Sequence, residues 1–193
     1  FQSYSNTYAP LERLVELYSE ALSHPSVVGI VIGTRPDCVD EEKLDWLASL
    51  KDGRALPGWR REGFGKPVVK IEYGIESCYD RTLERVGRGH DVAAAVKALA
   101  MSAERGLEPG AHFILGLPGE TREMLLDQCS FISSLPLHSV KFHQLQIVRG
   151  TRIEKEFGTC PGDFLRLSLD GYLDLVTDIL ERLRPDLYIE RVA

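Results

Sequence analysis

No apolar run in this 193-residue chain approaches the about 18 residues that a membrane-spanning helix needs, so no membrane span is expected. A basic excess is missing too. The formal net charge is −6, which confines any nucleic-acid-binding surface to a local groove. Cysteine is sparse: Cys38, Cys78, Cys129 and Cys160 share no metal-knuckle spacing and suggest no secreted disulfide framework. Ordinary reduced thiols and a cytoplasmic setting follow. The chain does not start with methionine, and no signal-peptide pattern follows Phe1; a processed amino terminus or a piece of a longer protein is the expectation. What remains is 44% apolar residues, enough for one domain with a sizeable core.

The hydrophobic pattern alternates between two periods. Phe1–Tyr8 reads as a short strand, and Pro10 then opens a helix in which Leu11, Leu14, Val15, Tyr18, Ala21 and Leu22 repeat at helical spacing. Val27–Thr34 is a continuous β-branched run suited to a buried parallel strand. Asp40 is placed to cap a helix through Leu50. Residues 51–66, rich in glycine and arginine, read as a long, exposed, mobile loop. Val68–Ser77 is the next strand, followed by a short helix over Asp80–Val86 and a longer one capped by Asp91 and closed by Gly106. Strands are expected at Ala111–Leu117 and Ser139–Val148, with a helix between them from Thr121 to Ser134. A long helix over Phe164–Leu183 and a last strand at Leu187–Val192 complete the pattern. This repetition predicts an α/β protein with a parallel sheet, either doubly wound or curled into a barrel.

In both arrangements ligands bind at the carboxyl ends of the strands. Gly33-Thr34-Arg35-Pro36-Asp37 sets a guanidinium and a carboxylate just past a strand; by itself it reads as a turn with a weak surface ion pair. Gly74-Ile75-Glu76-Ser77 offers one acidic group able to accept from a ribose, and Gly116-Leu117-Pro118-Gly119-Glu120 exposes backbone N–H groups where the chain turns into a helix. Lys141 and His143 share one strand face by alternation, with Gln144 next to them, and are the candidate substrate contacts. Arg88, in Arg85-Val86-Gly87-Arg88-Gly89-His90, can hold a carboxylate bidentately. Each of these has an ordinary structural explanation. Their order carries the signal.

The run IEYGIES-CYDRTLERVGRGHD, a helix, and then HFILGLPGET resemble the S-adenosylmethionine (SAM)-binding half of the radical SAM superfamily, and GTRPD is similar to a segment in the radical SAM core of the elongator tRNA-modifying catalytic subunit. The chain also resembles a group of predicted iron–sulfur oxidoreductases related to that subunit. The resemblance implies a partial (β/α)6 TIM-like barrel, entered at its second strand, whose first strand and cluster loop are missing. It also implies a [4Fe–4S] cluster held by C-x3-C-x2-C and completed by SAM, whose one-electron cleavage gives a 5′-deoxyadenosyl radical. Carried over onto this sequence, Ser5, Asn6 and Thr7 receive the SAM amino group, with Thr34 and Arg35 nearby. Glu76 contacts the ribose, Arg88 pairs with the SAM carboxylate, and the strand end from Ile114 through Gly116, Leu117 and Pro118 flanks adenine.

Two departures stand out: the first of these segments is not glycine-rich, and Gly33 replaces a glutamate of oxygen-independent coproporphyrinogen oxidase. None of the four cysteines fits the cluster motif, so the ligands are expected upstream of Phe1 and these 193 residues alone are expected to be inactive. An electron donor such as a flavodoxin or ferredoxin is implied as partner. RNA is a candidate substrate, since Trp59 and Phe64 are interleaved with basic residues in a pattern that can grip single strands. A non-catalytic degenerate barrel that binds a nucleotide or RNA is the competing reading, ahead of a phosphate-binding barrel enzyme. The missing first strand leaves Phe1–Tyr8 as an exposed edge, where self-association is expected.

Overall fold

Five strands form one parallel sheet in the order β1 (Gly29–Thr34), β2 (Val68–Glu76), β3 (Pro109–Leu115), β4 (Ser139–Gln144) and β5 (Tyr188–Arg191). The computed structural model describes residues 1–192. Strand order decides the question that periodicity left open. A doubly wound sheet reverses direction at a switch point; here each strand lies beside its predecessor, as right-handed crossovers produce when all step the same way. The sheet is therefore part of a barrel wall, with helices on its outer face.

Alternation along each strand separates that helix-covered face from the concave one. In β2, Val69, Ile71, Tyr73 and Ile75 are buried. Tyr73 donates to or accepts from Ser102 of helix α4 (Val92–Glu104) at 2.8 Å, which fixes these residues as the outer, helix-packed set. Lys70, Glu72, Gly74 and Glu76 then face the lumen, with His112 and Ile114 of β3 and Lys141 and His143 of β4. The expected caps form: Asp40, Asp91 and Thr121 accept from backbone N–H groups three residues on, and Gly106 sits at φ 70° behind α4.

Three expectations fail for physical reasons. Phe1–Tyr8 is not a strand. Phe1 exchanges bonds with Val31 and Gly33, but Tyr4 stands at φ 64° and Ser5–Tyr8 turns back on itself, so the segment lies as coil along the edge of β1. The exposed edge strand on which self-association rested is not formed.

Residues 51–66 are pinned at Trp59 and Arg61, while 62–66 are exposed as expected. Trp59 is only 8% exposed, and its indole donates to the Leu22 carbonyl at 3.0 Å. Arg61 donates to the carbonyls of Leu22 and His24, satisfying orphan groups at the end of helix α1 (Leu11–Ser23). Trp59 is a core residue, not a platform for bases.

The long helix after Phe164 is shorter than expected. Ser168 caps it at 3.1 Å, so it runs Leu169–Arg182, and a separate helix at Arg152–Thr159 precedes it. That earlier helix is only 8 residues long and fully buries none of them; its apolar signal is the single pair Ile153 and Phe157.

Candidate functional site

Gly74 organises the open end of the barrel. Arg88, carried by the turn after helix α3 (Asp80–Val86), lays its guanidinium on the Gly74 carbonyl, with Nη2 at 2.6 Å and Nε at 3.2 Å. The register of β2 against β3 slips between Gly74 and Glu76, and Glu76 takes φ 74° there. That backbone state is costly for a residue with a Cβ. It turns the Glu76 carboxylate to within 3.0 Å of Arg88. A methyl group at position 74 would overlap Arg88 Nη2 and lie 2.7 Å from Glu76 Oε1, so only glycine permits this arrangement. Burial pushes the Glu76 carboxyl upward against the opposing charges of Arg88 and His112.

Around this pair opens a cleft of about 420 Å³, floored by Glu72 and His112 and walled by Ser5, Gly33 and Arg35. Arg35 grips both oxygens of Asp37, Nε to Oδ1 at 2.9 Å. Thr34 borders the cleft, and its hydroxyl shares a buried hydroxyl–hydroxyl bond of 2.6 Å with Thr7. Asn6 donates to the Gly33 carbonyl at 2.8 Å. Asn6 and Thr7 thus fasten the amino-terminal coil to β1, and Ser5 faces the cleft.

Deeper in the lumen lies a charge network. Lys141 donates to both oxygens of Glu72, at 2.6 and 2.7 Å, and stands 3.2 Å from Glu190, which is 3.6 Å from Lys70. His112 Nε2 is 2.9 Å from Glu72 Oε2, and the His143 ring lies 5.3 Å from that of His112. Burial raises the Glu72 carboxyl, but bonding and charge from His112 and Lys141 outweigh it and hold the group down at about 2.

Beyond β3, Gly116 sits at φ 87° and Leu117 and Pro118 are buried. Gly116 and Gln144 line a second, more apolar cavity of about 210 Å³ with Phe157, Phe164 and Tyr172. Glu120, which ends this turn, is only 3% exposed and accepts from Ser77 at 2.5 Å.

A sequence model of the radical SAM superfamily matches residues 2–132, and one of the radical SAM C-terminal domain matches residues 137–193. The chain belongs to the radical SAM superfamily. An uncharacterized protein of Methanocaldococcus jannaschii is 37% identical over 189 residues, which are 98% of this chain and 54% of that protein. Elongator complex protein 3 of Saccharomyces cerevisiae is 28% identical over 179 residues, 91% of this chain and 29% of that protein. Among solved structures, the Methanocaldococcus infernus Elp3 with an amino-terminal deletion superposes with a TM-score of 0.76 at 17% identity, covering 96% of this chain and 45% of that one. The resemblance read from the ordered motifs is thereby established, as is the barrel-type fold. This radical SAM chain spans about half the length of the first of those relatives.

The expected contacts thus fall into three places. Ser5, Thr34, Arg35, Glu76 and Arg88 converge on the cleft; Ile114, Lys141 and His143 face the lumen; Gly116 and Gln144 border the apolar cavity, with Leu117 and Pro118 packed beside it. Glu72, His112, Glu190 and Glu120 were not singled out from sequence. The signal for Glu72 and His112 was there, as polar residues at alternate positions of otherwise apolar strands; Glu190 lies on an exposed strand and Glu120 in a turn, and neither has such a signal. All four cysteines are free, and among the described residues no group of His, Cys, Asp and Glu is arranged to hold a metal ion. Burial raises the thiols of Cys78 and Cys129, the latter to about 11. They are not thiolate ligands, and a [4Fe–4S] cluster does not fit these residues. No helix among the described residues is long and apolar enough to cross a membrane.

Proposed function

We propose that this chain is the SAM-binding part of a cytoplasmic radical SAM enzyme, whose cluster ligands lie in the remainder of the protein outside these residues. The Arg88–Glu76 pair over Gly74 carries the reading. It offers a cation for the SAM carboxylate and an acceptor for the ribose hydroxyls side by side, in a cleft with room for both. Ser5 and the Gly33 segment lie where the amino group would be received, and the strand end from Ile114 to Pro118 where adenine would lie. In this superfamily SAM and the cluster together supply a 5′-deoxyadenosyl radical that takes a hydrogen atom from a substrate. No step of that chemistry is ascribed to the cysteines present here. The reducing electron would come from a flavodoxin or ferredoxin.

Calorimetric titration of SAM into the 193-residue chain tests the proposal. Binding is expected, and Arg88→Ala should weaken it about tenfold or more, the worth of a charge-assisted bond to a carboxylate. A chain that binds RNA or free nucleotides but no SAM would overturn the proposal in favour of a non-catalytic binding barrel. In the full-length protein, reconstituted without oxygen, formation of 5′-deoxyadenosine is the expected product assay.

A further inference from the structure

We propose that His143 and His112 form an acid–base pair on the lumen wall, oriented by Glu72, that exchanges a proton with a substrate whose reacting carbon bears oxygen or nitrogen. The inference rests on the reading of the cleft above it as the SAM site.

Four observations lead there. His112 borders the same cleft as Glu76 and Arg88, so it faces whatever binds beside SAM. Glu72, 3% exposed, is held as an anion by Lys141. A carboxylate only accepts, so the His112 nitrogen 2.9 Å away, Nε2, must carry a hydrogen. The proton His112 can exchange is therefore at Nδ1. His143, on the neighbouring strand with its ring centroid 5.3 Å away, makes no side-chain hydrogen bond among the described residues, although it faces the lumen. Burial, with the charges of His112, Arg191 and Lys141 behind it, lowers its pKa and keeps it neutral at neutral pH.

Apart from Arg191, whose charge acts on His143, the other charges of the wall are paired: Lys141 with Glu72 and Glu190, Lys70 with Glu190, and Arg88 with Glu76. Two imidazoles are left as the candidate groups for proton exchange. A hydrocarbon substrate would need neither. A carbon bearing a hydroxyl or amino group does: once it has lost a hydrogen atom, its O–H or N–H becomes far more acidic. That bond breaks, an N–H bond forms on His143, and the unpaired electron stays on the substrate. No oxidant or reductant enters this step.

The test uses the 193-residue chain labelled with 15N-histidine, followed by long-range 15N–1H NMR from about pH 5 to pH 9. In the wild type, His112 should appear as the Nε2–H tautomer. His112→Asn should raise the His143 midpoint, since His112 is among the groups whose charge lowers it. Addition of S-adenosylhomocysteine should shift the His112 and His143 resonances and leave His24 and His138 in place. A His112 ring that averages both tautomers, or a His143 midpoint indifferent to His112→Asn, would overturn the pair even when the analogue binds. Failure of the analogue to bind a chain that shows both signatures would instead count against the SAM site. Glu72→Gln is the second variant, expected to release the His112 tautomer while the chain stays folded.

Discussion

Replacing Glu120 by glutamine should stabilise the protein at alkaline pH and do so as a function of pH. Glu120 is 3% exposed at the turn after β3; one carboxyl oxygen accepts from Ser77, and the other has no partner among the described residues. Burial lifts its pKa from 4.5 to about 7, against the Ser77 and Thr82 hydroxyls that pull it down. The folded state thus keeps the proton up to about pH 7, whereas the unfolded chain gives it up near 4.5. Below 4.5 both states are protonated and the group contributes no pH dependence. As pH rises through this window the unfolded state ionises first and stability declines, reaching a loss of about 3 kcal/mol above pH 7 at about 1.4 kcal/mol per pH unit. Glutamine keeps an oxygen for Ser77 and cannot ionise; any cost of its amide is the same at every pH. Urea unfolding of both proteins from about pH 5 to pH 9 should show the variant gaining about 3 kcal/mol on the wild type across the range, or a relative rise in Tm of roughly 6–12 °C. Any other group that changes charge in this range does so in both proteins, and its effect cancels in the difference. Stability curves that run parallel would refute a buried, proton-holding Glu120.

Gly74→Ala should displace the Arg88 guanidinium and separate it from Glu76; SAM affinity is expected to fall at least about tenfold, with a stability loss of about 1–3 kcal/mol, read by calorimetry and urea unfolding. Trp59→Ala should cost about 3 kcal/mol, since it removes a buried indole and its bond to the Leu22 carbonyl. Trp59 does not line the cleft proposed to take SAM, so affinity should be unchanged; an unstable protein that also loses SAM affinity would show the 51–66 segment to be coupled to the cleft.

Local chemistry was legible in the sequence and partnership was not. Asp40, Asp91, Thr121 and Gly106 act within their own helix ends, and each was read correctly because a cap needs only its neighbours. Phe1–Tyr8 has strand composition but gains backbone partners only from β1, and a positive φ at Tyr4 breaks the run. Trp59 and Arg61 look like a solvent-facing mixture until the end of α1, some 37 residues away in sequence from Trp59, supplies carbonyls for both. The helix at Arg152–Thr159 is only 8 residues long and its one apolar pair, Ile153 and Phe157, is too short a pattern to be told from a loop without the partner it meets, Phe164.

The lumen shows the same division more sharply, and explains why a barrel rather than a doubly wound sheet was required. Glu72 meets Lys141 across 69 positions and His112 across 40; no spacing rule links them, only the register of β2, β3 and β4. In a sheet covered by helices on both faces, Glu72, Lys141 and Glu190 would be desolvated on the second face with little to compensate them beyond one another, a costly arrangement. On the concave wall of a barrel the same alternation faces a cleft that admits water and ligands, and the charges become the site. The polar half of β2, a liability in one topology, is in the other the place where chemistry can occur. Strand order, which places the β2 carboxylate opposite the β4 ammonium, decides between them.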